Sequence, residues 1–128
     1  MRAMKAMLAL AVTICLLTVA AMAGEDQGIA DVYKVNFSEK VRVADTVLPA
    51  GNYEIRHVME GENHFMVFHQ LGTKKPAEVR AKCTLVPLPE KATENQKMYE
   101  LNAANERVLR ELIFKGDRAK HVFESSAQ

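Results

Sequence analysis

Apolar residues recur mainly at every second position, in short runs parted by turn-forming residues. This is the pattern of strands that lay one face on a core and the other in water. Tyr33-Lys34-Val35-Asn36-Phe37 alternates in this way, and so does Val41-Arg42-Val43. Thr46 to Asn52 reads as a turn region: Pro49 suits the second position and Gly51 the fourth of a type I turn. The next run, Tyr53 to Met59, is interrupted by Glu60-Gly61-Glu62-Asn63, which predicts a hairpin. Glycine at the first central position of a II′ turn sets opposite each other residues whose numbers sum to 123, and a four-residue loop keeps the same register. One face then carries Tyr53, Ile55, His57 and Met59 against Gln70, Phe68, Met66 and His64.

After a turn at Gly72-Thr73-Lys74-Lys75-Pro76, a long strand is predicted over Ala77 to Leu88, closed by Pro87 and Pro89, because proline cannot donate to a central ladder. Lys91 to Gln96 reads as exposed loop. Met98 to Phe114 fits two templates. Met98, Leu101, Val108, Leu109, Leu112 and Ile113 make a helical stripe, while Val108, Arg110, Leu112 and Phe114 alternate as a strand. Two strands around Asn102-Ala103-Ala104-Asn105 are favoured, since Gly116-Asp117 then turns the chain into a last strand at His121-Val122-Phe123. The expected fold class is all-β: a small antiparallel sandwich or partly closed barrel of about seven or eight strands, following an N-terminal signal helix.

That signal is read from the first 23 residues. Arg2 and Lys5 precede an uncharged stretch from Ala6 to Ala23, and Gly24-Glu25-Asp26-Gln27 is an abrupt polar exit. Ala21-Met22-Ala23 puts small residues at both positions a signal peptidase must accept, so cleavage after Ala23 is expected, with export to the periplasm or the medium. The competing reading is a retained anchor, since the stretch approaches the roughly 20 residues that span a bilayer core. Cys15 lies in the middle of the apolar run rather than at the cleavage point, which excludes a lipoprotein signal.

Cleavage changes the composition. Of 17 Lys and Arg, two leave with the signal and none of the 16 acids does, so a nominal charge of +1 becomes −1. Nothing in that balance draws the mature chain to nucleic acid or to an anionic membrane, and once the signal is gone no membrane-spanning stretch is expected. About 105 residues suit one domain, 24–128, with a frayed tail at 124–128. Only Cys83 of the two cysteines survives processing, so no internal disulfide can form. Cys83 is a buried apolar residue, an intermolecular bridge or a metal ligand. Its face is shared with Val79, Ala81 and Leu85, which favours burial. The fold then rests on its apolar core, with oligomerisation or a ligand as the available supplements.

Leu48-Pro49-Ala50-Gly51-Asn52-Tyr53-Glu54-Ile55 resembles the LPAG-x-Y turn-and-strand signature of a group of small exported bacterial proteins. The similarity extends to Leu109-Arg110-Glu111-Leu112-Ile113-Phe114 and Val122-Phe123. It implies a β domain and assigns no catalytic residue.

Among residues that carry chemistry, the hairpin register gathers His57, Met59, His64 and Met66 near the turn. Imidazole and thioether suit copper, the sulfur favouring Cu(I), so these four are the candidate metal ligands and copper the candidate cofactor. The competing reading is plain core, as Tyr53, Ile55 and Phe68 share the face. Close Cys/His pairs of a structural zinc site are missing, as are a G-x-S-x-G elbow and a phosphate-binding glycine loop. Glu60 and Glu62 flank a turn glycine in the manner of ordinary solvated residues. The functional expectation is therefore a non-enzymatic binding domain whose partner is a protein, an envelope component or a small ligand. The alternative is a periplasmic copper-type metal-binding protein. N-terminal sequencing of the exported product tests the first step: the expected first residue is Gly24, and an intact Met1 would show a retained anchor.

Overall fold

The computed structural model describes residues 29–124; the predicted signal peptide and residues 125–128 lie outside them. Within that range the chain forms nine strands and no helix: β1 Val32–Phe37, β2 Val41–Val43, β3 Thr46–Leu48, β4 Gly51–Glu60, β5 Asn63–Gln70, β6 Glu78–Pro87, β7 Gln96–Leu101, β8 Arg107–Ile113 and β9 Ala119–Phe123. They join in one sheet of order β1-β4-β5-β6-β9-β8-β2-β3, with β7 along the other side of β8. All pairings are antiparallel except β2 with β8, which meet in parallel at Arg42 and Val108. The fold is thus all-β, and the sheet is mixed and unclosed.

The β4–β5 hairpin has the predicted register, from Tyr53 opposite Gln70 to Glu60 opposite Asn63. Gly61 takes φ 61°, a left-handed conformation that suits glycine because it has no Cβ to clash. Alternation then sends Tyr53, Ile55, Met66 and Phe68 inward, and all four are fully buried. Phe37 of β1 packs on the Tyr53 and Phe68 rings, with centroids 5.5 and 6.4 Å away. Phe68 meets Phe123 of β9 at 5.8 Å. Val41, Val43, Leu48, Leu109 and Leu112 complete the core from the far arm of the sheet.

One prediction fails in detail. Thr46–Leu48 is not turn but strand β3, hairpinned onto β2 with Val43 opposite Thr46. The tight link, Ala44-Asp45, holds Ala44 at φ 54°, where glycine would be the usual residue, so the turn carries no sequence signal. The proline-glycine turn at 48–51 joins β3 to β4, which do not pair; it carries the chain between distant parts of the sheet. Tyr53 Oη donates to the Pro49 carbonyl at 2.6 Å, locking that turn to β4.

Residues 96–113 are two strands, and the helical look of the sequence has a cause. Pairing runs Gln96–Met98 opposite Ile113–Glu111, then jumps to Tyr99 opposite Leu109, leaving Arg110 as a bulge. The bulge turns Leu109 and Leu112, three residues apart, to the same buried side. The Asn102 Oδ1 accepts from the Ala104 and Glu106 amides at 3.0 and 2.9 Å and so closes the β7–β8 loop. Arg42 grips Glu106 through two hydrogen bonds of 2.9 and 3.0 Å, tying that loop to β2. Together with Asn102, this pair holds the Glu106 carboxyl down to about 2.

The sheet curls until its first strand faces the other arm. Tyr33 of β1 stacks on Phe114, just beyond β8, with centroids 3.9 Å apart. Lys97 Nζ of β7 reaches the Asn36 carbonyl of β1 at 3.0 Å. No ladder joins β1 to β7 or β8. Phe68→Ala should therefore cost about 3–5 kcal/mol of unfolding free energy in a urea titration. By contrast Leu101→Ala, at a position 65% exposed, should change it by less than about 0.5 kcal/mol.

Candidate functional site

At the end of the core nearest the β4–β5 turn, the interior changes from apolar to polar. His57 on β4 and His64 on β5 are diagonal neighbours, since His57 lies opposite Met66 and His64 opposite Met59. Both are half-buried. The His57 Nε2 and His64 Nδ1 approach to 2.9 Å, a hydrogen bond in which one ring donates and the other accepts. Burial and the neighbouring His64 lower the His57 pKa from its ordinary value.

The structure divides the four predicted ligands. It brings His57 and His64 together nitrogen to nitrogen. Met66 is fully buried in the core, whereas Met59 is 45% exposed at the rim. Cys83 lies directly opposite His64 across β5–β6 and is buried, as the alternation predicts. Burial pushes its thiol up to about 11, so it stays protonated. Among the described residues, no group of three or more His, Cys, Asp or Glu converges on a point that would hold a metal ion.

Three participants were not singled out from the sequence: His121, Asp117 and Tyr33. His121 on β9 reaches this end from the opposite side of the curled sheet, its ring centroid 5.9 Å from that of His57. It is 0% exposed, walled by Tyr33 and Phe114 at 5.5 and 5.8 Å, and neither ring nitrogen has a hydrogen-bond partner among the described residues. Asp117 Oδ2 stands 3.8 Å from its Nε2, beyond hydrogen-bond range, and accepts instead from Tyr33 Oη at 2.6 Å. Tyr33 Oη in turn accepts from the Ala30 amide at 2.9 Å. Burial raises the pKa of Asp117, partly opposed by the tyrosine bond. Burial and the two other histidines push His121 down to about 4, so it is neutral at pH 7. An unsatisfied buried polar group costs about 1–3 kcal/mol. The signal that could have found His121 is its position: alternation in Ala119, His121, Phe123 puts it on the core face.

Comparison with protein-family models, with curated proteins and with solved structures finds no match. What the site can do is therefore read from its own groups: two imidazoles meeting at the surface, a third beneath them, and thioethers beside them. Acid should weaken the fold here. The unfolded chain protonates His121 near 6.5 and the folded chain only near 4, so stability falls as pH drops through that interval. The loss attributable to His121 is at most roughly 3 kcal/mol. Asp117, whose folded pKa is raised, works in the opposite direction at the acid end, and His57, Tyr33 and His64 are the other titratable groups facing the ring. His121→Leu should leave stability at pH 7 unchanged or about 1 kcal/mol higher and flatten the acid slope in urea titrations. A loss above about 2 kcal/mol with the slope intact would contradict this assignment.

Proposed function

We propose that the chain is an exported, non-enzymatic β domain that binds a transition-metal ion of the copper class at the histidine end of its sheet. The observation that carries this reading is the 2.9 Å approach of His57 Nε2 to His64 Nδ1 at a half-exposed position. Imidazole is a ligand for copper, zinc and nickel, and at a given nitrogen site copper binds tightest of these divalent ions. Export is supported by the charge pattern and small-residue exit of the first 23 residues. A binding role is favoured over catalysis because the Cys83 thiol near the site is buried and protonated, and the histidines abut each other rather than a hydroxyl.

The wider reading, a module for a protein or envelope partner, has its own support on the other arm of the sheet. There Val47 and Leu101, 39% and 65% exposed, line one depression with the Arg42–Glu106 pair. The two readings use different surfaces and separate in one experiment, thermal melting with and without metal. An ion bound only by the folded state, present at a hundred times its dissociation constant, adds about 2.7 kcal/mol and raises the melting temperature with concentration. The expected result is such a rise with at least one of Cu(I), Cu(II), Zn(II) and Ni(II), lost in His57→Ala and His64→Ala. A melting temperature indifferent to all four ions would refute the metal reading.

A further inference from the structure

The His57–His64 contact has a direction as well as a length. Its ring centroids are 5.0 Å apart, close to the largest separation a 2.9 Å nitrogen–nitrogen contact permits, and the planes are inclined by only 24°. The rings therefore meet edge to edge rather than face to face. The lone-pair axes of His57 Nε2 and His64 Nδ1 lie near one line, with the shared proton between them.

Two donors aimed at each other along a line are the ligand set of a two-coordinate closed-shell monovalent ion. A tetrahedral ion would need both axes bent toward a common apex and two further donors. The acidic, thiol and imidazole side chains of the described residues do not converge to supply a third. Resting on the metal-binding reading above, we infer that the pair is a linear site for Cu(I), with Ag(I) as its redox-inert equivalent, in which the ion takes the place of the proton between the two rings.

The exchange balances without releasing a proton. The ring that donates in the free protein moves its proton to its outer nitrogen, His57 Nδ1 or His64 Nε2. Both facing nitrogens then offer lone pairs to the ion, and no electron is transferred. Two metal–nitrogen bonds of about 2 Å in line need a nitrogen separation of roughly 4 Å, so the rings must part by about 1 Å. The place allows it: Val58 to Asn63, the end of the hairpin that carries both histidines, is solvent-exposed. His121 has no such freedom in the core. The Asp31 charge acts on His57, so a monovalent cation meets a favourable field.

The test loads the exported protein with Ag(I), and with Cu(I) anaerobically, and measures affinity together with the X-ray absorption fine structure. The expected result is one ion per chain with two nitrogen neighbours at a single short distance and no sulfur shell. His57→Ala or His64→Ala, each checked for folding by circular dichroism, should weaken binding at least about a hundredfold, while Met59→Leu should change it less than about threefold. His64→Asn serves as a second variant should the alanine form unfold. Three or more ligands, a sulfur shell, or a large loss in Met59→Leu would overturn the linear site. So would Zn(II) or Cu(II) binding through the same histidines without Cu(I) or Ag(I), although the metal reading would survive that outcome. Failure of every ion to bind overturns both.

Discussion

The register between β4 and β5 is the constraint on which the rest of this molecule depends. With Gly61 at the first central position of the turn, residues summing to 123 face each other, and a slip of one would send every inward side chain to the solvent face. That pairing buries Tyr53, Ile55, Met66 and Phe68 as the wall against which Phe37 and Phe123 pack. Continued toward the turn, the same two rows bring His57 beside His64. Core and candidate site are one face of one hairpin, apolar where the sheet covers it and polar where it emerges.

The polar end is costly to the fold. His121 is fully buried with neither nitrogen bonded among the described residues, and Asp117 beside it is paired to Tyr33 rather than to the histidine. An apolar residue would fill the space without the desolvation penalty. The Tyr33–Asp117 bond does useful structural work, since with the Tyr33–Phe114 stack it holds β1 against the loop after β8, where no strand ladder spans the gap. His121 is flanked by the rings of Tyr33, Phe114 and His57 and stands opposite Leu85 and Leu112 on the neighbouring strands.

Much of this arrangement was legible in the sequence because it is local. The alternation of Tyr33–Phe37 and Tyr53–Met59, the hairpin at Gly61 and the burial of Cys83 all follow from period two and one turn residue. The β2–β3 hairpin escaped because Ala44 adopts a positive φ without being glycine. The helix-like spacing of Leu109 and Leu112 arose from the bulge at Arg110, which no periodicity template contains. His57 and His64 were found together since they share a hairpin. His121 was not, because its approach depends on the curl of the whole sheet from β4 round to β9, a long-range consequence of packing that local pattern does not encode.

Everything proposed for this end of the sheet requires that the two histidines be joined ring to ring in the metal-free protein. Long-range nitrogen–proton NMR of the imidazoles at neutral pH measures this directly. It should show complementary tautomers at the facing positions, one of His57 Nε2 and His64 Nδ1 protonated and the other a bare acceptor, and His64→Ala should shift the His57 Nε2 resonance. Facing nitrogens that are both bare or both protonated, with His57 unmoved by the substitution, would contradict it.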